Sequence, residues 1–114
     1  MLTVNELIDR IDEFNGKPVE VMGLLTFEFE DTSLNHFPKS ERRDVTEEAD
    51  LPFYRSSVWL AFGGGSIRPN EQVLTQWHGK RVRVTGIAYR PHVGGCGHFG
   101  GRGCEIEPYS IERV

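Results

Sequence analysis

Four side chains able to ligate a transition metal, His92, Cys96, His98 and Cys104, fall in or beside residues 91–103, a stretch holding six glycines. Zinc accepts both thiolate and imidazole. The order His-x3-Cys-x-His-x5-Cys is, however, not the paired spacing of a zinc knuckle, and glycine-rich backbone loses much entropy when it is ordered around an ion. The expectation is a loop without metal or other cofactor, followed by a strand that buries Cys104. A second grouping would serve acid–base chemistry. Glu28 and Glu30 alternate on one strand face, and His36 approaches them if the first two strands pair. Alternating glutamates are more often the wet face of a strand, no glycine elbow surrounds a serine, and no triad can be assigned. No enzymatic activity is expected.

Two surfaces remain, and they suit different partners. The formal net charge is -4, and it is unevenly placed. Residues 28–50 hold eight acidic and three basic side chains, so this one segment carries all of the excess negative charge. Glu28, Glu30, Asp31, Asp44, Glu47, Glu48 and Asp50 are therefore the candidate contacts for a basic protein partner. The other surface is aromatic and cationic. Trp59 and Phe37, with Arg90, His92, His98 and Arg102, combine the stacking faces and positive charge that a single-stranded nucleic acid needs. The acidic segment opposes phosphate, so nucleic acid is the second choice.

The elements that must position these residues are legible from pattern. Thr3-Val4-Asn5-Glu6 is a capping box, and Val4, Leu7, Ile8, Ile11 and Phe14 then repeat at helical spacing up to Asn15-Gly16. A strand follows from about Lys17 to Glu30, with Val19, Val21, Gly23, Leu25, Phe27 and Phe29 on one face. Leu34 to Phe37 reads as a short second strand, and residues 39–55 as a long acidic loop. Ser57 to Phe62 is a third strand with Trp59 turned away from Val58, Leu60 and Phe62. After Gly63-Gly64-Gly65, Pro69 opens a helix carrying Val73, Leu74 and Trp77 and closed by Gly79. A strand from Lys80 to Arg90, the glycine-rich loop 91–103 and a last strand from Cys104 to Val114, interrupted at Pro108, complete the chain.

One motif occurs twice. Gly16-Lys17-Pro18-Val19-Glu20-Val21-Met22-Gly23 and Gly79-Lys80-Arg81-Val82-Arg83-Val84-Thr85-Gly86 both read Gly-Lys-x-Val-x-Val-x-Gly, each behind an aromatic residue, Phe14 or Trp77. In each copy a helix ends on a left-handed glycine and a strand begins at once, to bend at the inner glycine. With Gly97-His98-Phe99-Gly100-Gly101 and Cys104-Glu105-Ile106-Glu107, this repeat resembles the small stand-alone bacterial members of the oligonucleotide/oligosaccharide-binding (OB) fold. The resemblance implies a mainly β chain of 114 residues forming a single domain. The architecture it implies is a five-stranded Greek-key barrel with an N-terminal helix and a second helix between strands 3 and 4.

No apolar run approaches membrane-spanning length, and the first residues lack the basic start and apolar centre of a signal peptide. The cytoplasm is the expected compartment. The expected function is non-catalytic protein binding. A small acidic protein of this kind is similar to bacterial immunity proteins that neutralise a basic toxin such as a nuclease. Single-stranded nucleic-acid binding is the alternative.

Overall fold

The computed structural model describes residues 1–29, 31–48, 51–62, 70–91 and 101–114. Seven strands are present among them: β1 (Leu2–Thr3), β2 (Pro18–Glu28), β3 (Asp31–Asn35), β4 (Thr46–Glu48), β5 (Leu51–Leu60), β6 (Arg81–Tyr89) and β7 (Arg102–Arg113). Three helices accompany them: α1 (Val4–Asp9), α2 (Ile11–Phe14) and α3 (Glu71–Trp77). Strands β2, β3, β5, β7 and β6 pair in that order, and β6 returns to β2, so the sheet closes into a five-stranded barrel. Only the β5–β7 contact within the barrel is parallel.

The glycine repeat explains the closure. Its two copies pair with each other in antiparallel register, with Val21 opposite Val84, its own counterpart in the repeat. The ends match as well. The Gly16 amide donates to the Ala88 carbonyl at 2.7 Å, and the Gly79 amide donates to the Leu25 carbonyl at 2.7 Å. Equivalent side chains then cap the ladder at both ends. Asn15 Oδ1 accepts from the Arg90 amide at 2.9 Å, and His78 Nδ1 accepts from the Phe27 amide at 3.1 Å. A local two-fold axis thus relates the two helix-to-strand junctions. Gly16 and Gly79 take φ values of 78° and 76°, the left-handed conformation expected of a glycine that ends a helix.

Inside the barrel, alternation does the sorting. Val19, Val21 and Leu25 of β2, Leu34 of β3, Val58 and Leu60 of β5, Val82, Val84 and Ala88 of β6, and Cys104 and Ile106 of β7 are all buried. Val4 and Leu7 from α1 and Leu74 from α3 join the same cluster. Burying a leucine or valine of this kind contributes about 1.5–3 kcal/mol. Thr3 caps α1: its hydroxyl accepts from the Glu6 amide at 3.2 Å, and the Glu6 carboxylate accepts from the Thr3 amide at 2.9 Å. That hydrogen bonding holds the Glu6 carboxyl below its ordinary pKa.

Several elements differ from expectation. The N-terminal helix divides at Arg10, whose φ and ψ are -112° and 20°, although the stripe from Val4 to Phe14 still faces the core. Phe29 is 92% exposed instead of facing inward. The reason is that β2 ends at Glu28, opposite Asp31, so the alternation stops one residue earlier. The second strand begins at Asp31 and the last at Arg102, both upstream of the positions expected from pattern. The acidic stretch is not a continuous loop. Residues 39–41 form a turn of 3-10 helix, and β4 pairs with the first residues of β5, Thr46 facing Phe53 and Glu47 facing Pro52. Thr46-Glu47-Glu48 is polar throughout, so no apolar alternation marks it. Much of the glycine-rich loop, residues 92–100, lies outside the described residues.

Candidate binding site

The outer wall of β2, β3 and β5 carries a cavity of about 300 Å³. Asp31 and Asn35 reach it from β3, Tyr54 and Ser57 from β5, Arg102 from the start of β7, and Lys39 and Arg42 from the segment after β3. Arg102 joins two of these residues. Its Nη2 lies 3.1 Å from Asp31 Oδ1, and its guanidinium carbon sits 4.3 Å from the centroid of the Tyr54 ring. The side chain is only 11% exposed. Sequence pattern places Asp31 on the protein-binding surface and Arg102 on the nucleic-acid surface, whereas folding joins them in one ion pair. Asn35, Ser57, Lys39, Arg42 and His78 escape a reading of the sequence, because outward polar residues on a strand are too common to stand out.

The hairpin of β4 and β5 is tied down at its root. Arg43 Nη2 meets Asp9 Oδ2 of α1 at 2.6 Å, and the Arg43 amide donates to Ser56 Oγ at 2.9 Å. The Arg43 hydrogen bond holds the Asp9 carboxyl below its usual pKa, despite an opposing push from burial. Ser56 Oγ donates in turn to Asn5 Oδ1 at 2.7 Å, while Asn5 Nδ2 donates to the Glu41 carbonyl at 2.9 Å. Arg42 Nε donates to the His36 carbonyl at 2.8 Å. These two arginines of the acidic segment therefore turn towards the body of the protein.

The acids divide into two groups. Asp44 and Glu47 are exposed, and among the described residues neither has an ion-pair partner. Glu28 is exposed but has His78 Nε2 3.3 Å from its Oε1. Glu48 lies on β4 beside Glu47. Glu30 and Asp50 are outside the described residues.

The alternative surface is more heavily engaged. Trp59 faces outward as expected but is half-buried, paired with Ser33 on β3 and Glu105 on β7. Phe37 is half-buried with the Arg81 guanidinium 5.2 Å from its ring centroid. Arg90 meets Asp12 at 2.8 Å. His92, Cys96 and His98 lie outside the described residues, and Cys104 is fully buried in the core. The suggested approach of His36 to Glu28 does not occur, and Glu30, the other half of that grouping, lies outside the described residues. Leu24 pairs with Asn35 and Glu28 with Asp31, which puts His36 at the opposite end of the hairpin from Glu28.

Comparison with known proteins bears on the architecture. No family model matches the chain, and no curated protein matches it. The fold is similar to that of an OBody, AM3L09, solved bound to hen egg-white lysozyme, with a TM-score of 0.51 and 15% sequence identity over 90% of this chain and 85% of that one. The closed five-stranded barrel with short helices is thus an OB-fold.

Proposed function

We propose that this barrel is a non-catalytic protein-binding module whose β4–β5 hairpin docks on a basic partner, as an immunity protein covers the basic site of a toxin such as a nuclease. The sorting of charge supports this reading. Arg42 and Arg43 are drawn onto the His36 carbonyl and Asp9, while Asp44 and Glu47 remain exposed on the hairpin. The exposed Val45 beside them adds apolar area of the kind an interface buries. The OBody, solved bound to lysozyme, is a barrel of similar fold engaged with a protein.

Replacing Asp44 and Asp50 by Asn, and Glu47 and Glu48 by Gln, tests the assignment. The fold should persist, since surface changes typically cost within about 0.5 kcal/mol. Association with a partner captured from the native cell and identified by mass spectrometry should slow roughly tenfold and lose most of its salt dependence. An unchanged association rate, or a captured partner without a basic surface, refutes the reading.

Nucleic acid should bind weakly at physiological salt. Arg90 is already paired with Asp12, the acidic segment repels a phosphate backbone, and Trp59 is half-buried beside Glu105. Anisotropy with labelled single strands checks this. Submicromolar, salt-sensitive affinity that disappears in Trp59→Ala would reverse the order of the two functions.

A further inference from the structure

We propose that the cavity on the outer wall of β2, β3 and β5 binds a compact oxyanion, a phosphate or carboxylate group carried by a small molecule. This site goes beyond protein docking and does not depend on it. Among the described residues, three cations, Lys39, Arg42 and Arg102, line the cavity against one carboxylate, Asp31. Asp31 offsets part of this charge through Arg102, and the described lining keeps a positive excess.

Two donors on residues that line the cavity lack what burial demands. Arg102 Nε and Ser57 Oγ are both buried, and neither has a hydrogen-bond partner among the described residues. Ser57 as a whole is only 3% exposed. A charged N–H without an acceptor is costly in a protein interior, whereas an oxyanion carries several acceptor oxygens and opposite charge. The guanidinium is already oriented by the Tyr54 ring on one side and Asp31 on another, so little side-chain freedom is left to lose on binding. Arg42 is steadied through Nε by the His36 carbonyl and lines the same wall. The volume, about 300 Å³, lies at the small end of ligand sites and favours a small molecule over a polymer.

The test is an NMR titration of the full chain with inorganic phosphate and, separately, with succinate, at constant ionic strength. The Arg102 Nε–H resonance and the Ser57 and Asn35 amides report on the site. Saturable shifts at these probes with either anion support the proposal, and the more effective anion identifies the oxyanion class. Arg42→Gln and Lys39→Gln should each weaken binding about fivefold while leaving the rest of the spectrum in place, because both side chains lie at the surface. Shifts that stay linear, that are scattered over the surface, or that are unaffected by both substitutions overturn it. So does an unphosphorylated oligothymidylate that saturates the same probes below the concentration phosphate requires, since the ligand would then be a strand. None of these measurements needs the protein partner, so their failure leaves the docking hypothesis to its own test.

Discussion

Gly86→Ala should destabilise the barrel by roughly 2–3 kcal/mol, the scale of an overpacked core, and lower the melting temperature by about 10 °C. A Cβ at this position would collide with the Glu107 carbonyl oxygen and come within 2.8 Å of both Ile106 Cγ2 and Pro108 Cα. Two of these obstacles are backbone atoms, which cannot turn aside. The ladder between β6 and β7 also shifts register between Thr85 and Gly86, so the added methyl falls where the strands are already displaced. Gly23, its counterpart in the repeat, should behave alike, because a Cβ there lies 2.5 Å from the Asn35 carbonyl oxygen. The two outer glycines supply the contrast. Gly16 and Gly79 have open space where a methyl would go but positive φ, so alanine there should cost only about 1–2 kcal/mol through backbone conformation. Urea denaturation of the four variants decides the matter. Inner substitutions no more harmful than outer ones would show that close packing is not what requires glycine at the bends.

The second large effect is a loss of stability on mild acidification, centred on His36. This ring is 2% exposed, and its Nδ1 accepts a hydrogen bond from the Asn5 amide at 3.1 Å. Burial lowers its pKa, and the Arg42 and Arg43 charges add to that push against opposition from Glu41 and Glu6. Protonating Nδ1 would remove the acceptor that holds the start of α1 and leave a buried cation. The folded state therefore takes up its proton at lower pH than the unfolded chain. Stability should be level above the ordinary histidine value of 6.5 and fall as the pH drops below it, by at most about 1.4 kcal/mol per unit until the folded group titrates. His36→Asn places an amide oxygen near the Nδ1 position and removes the titration. Chemical denaturation between pH 8 and about 5, above the ordinary carboxylate range, should show a steeper decline for the natural protein than for this variant. Parallel declines would assign the acid sensitivity to other groups.

Local chemistry and periodicity determined much of the architecture in advance. The capping box at Thr3, the helix-ending glycines at 16 and 79, and the valine alternation in both copies of the repeat each follow from short-range rules, and all appear in the structure. Cys104 is buried in its strand because it alternates in phase with Ile106. Partners distant in the chain were decided only by the tertiary structure. Repetition alone does not say that two similar segments lie side by side, yet Val21 faces Val84 and the two helix ends make equivalent hydrogen bonds, Gly16 to Ala88 and Gly79 to Leu25. The β4–β5 hairpin was hidden because Thr46-Glu47-Glu48 pairs through backbone at an edge, where no apolar face has to be covered. The binding cavity was hidden for a related reason. Asp31 and Arg102 are distant in sequence and opposite in charge, so composition sorts them onto different surfaces, and only barrel closure places one beside the other. Within the paired length of each strand, sequence by itself determined which residues face inward, because burial there obeys a period of two; Phe29, past the last pair of β2, escaped that rule. Which outward residues meet was decided by strand order and register, quantities set by the whole barrel and carried by no single segment.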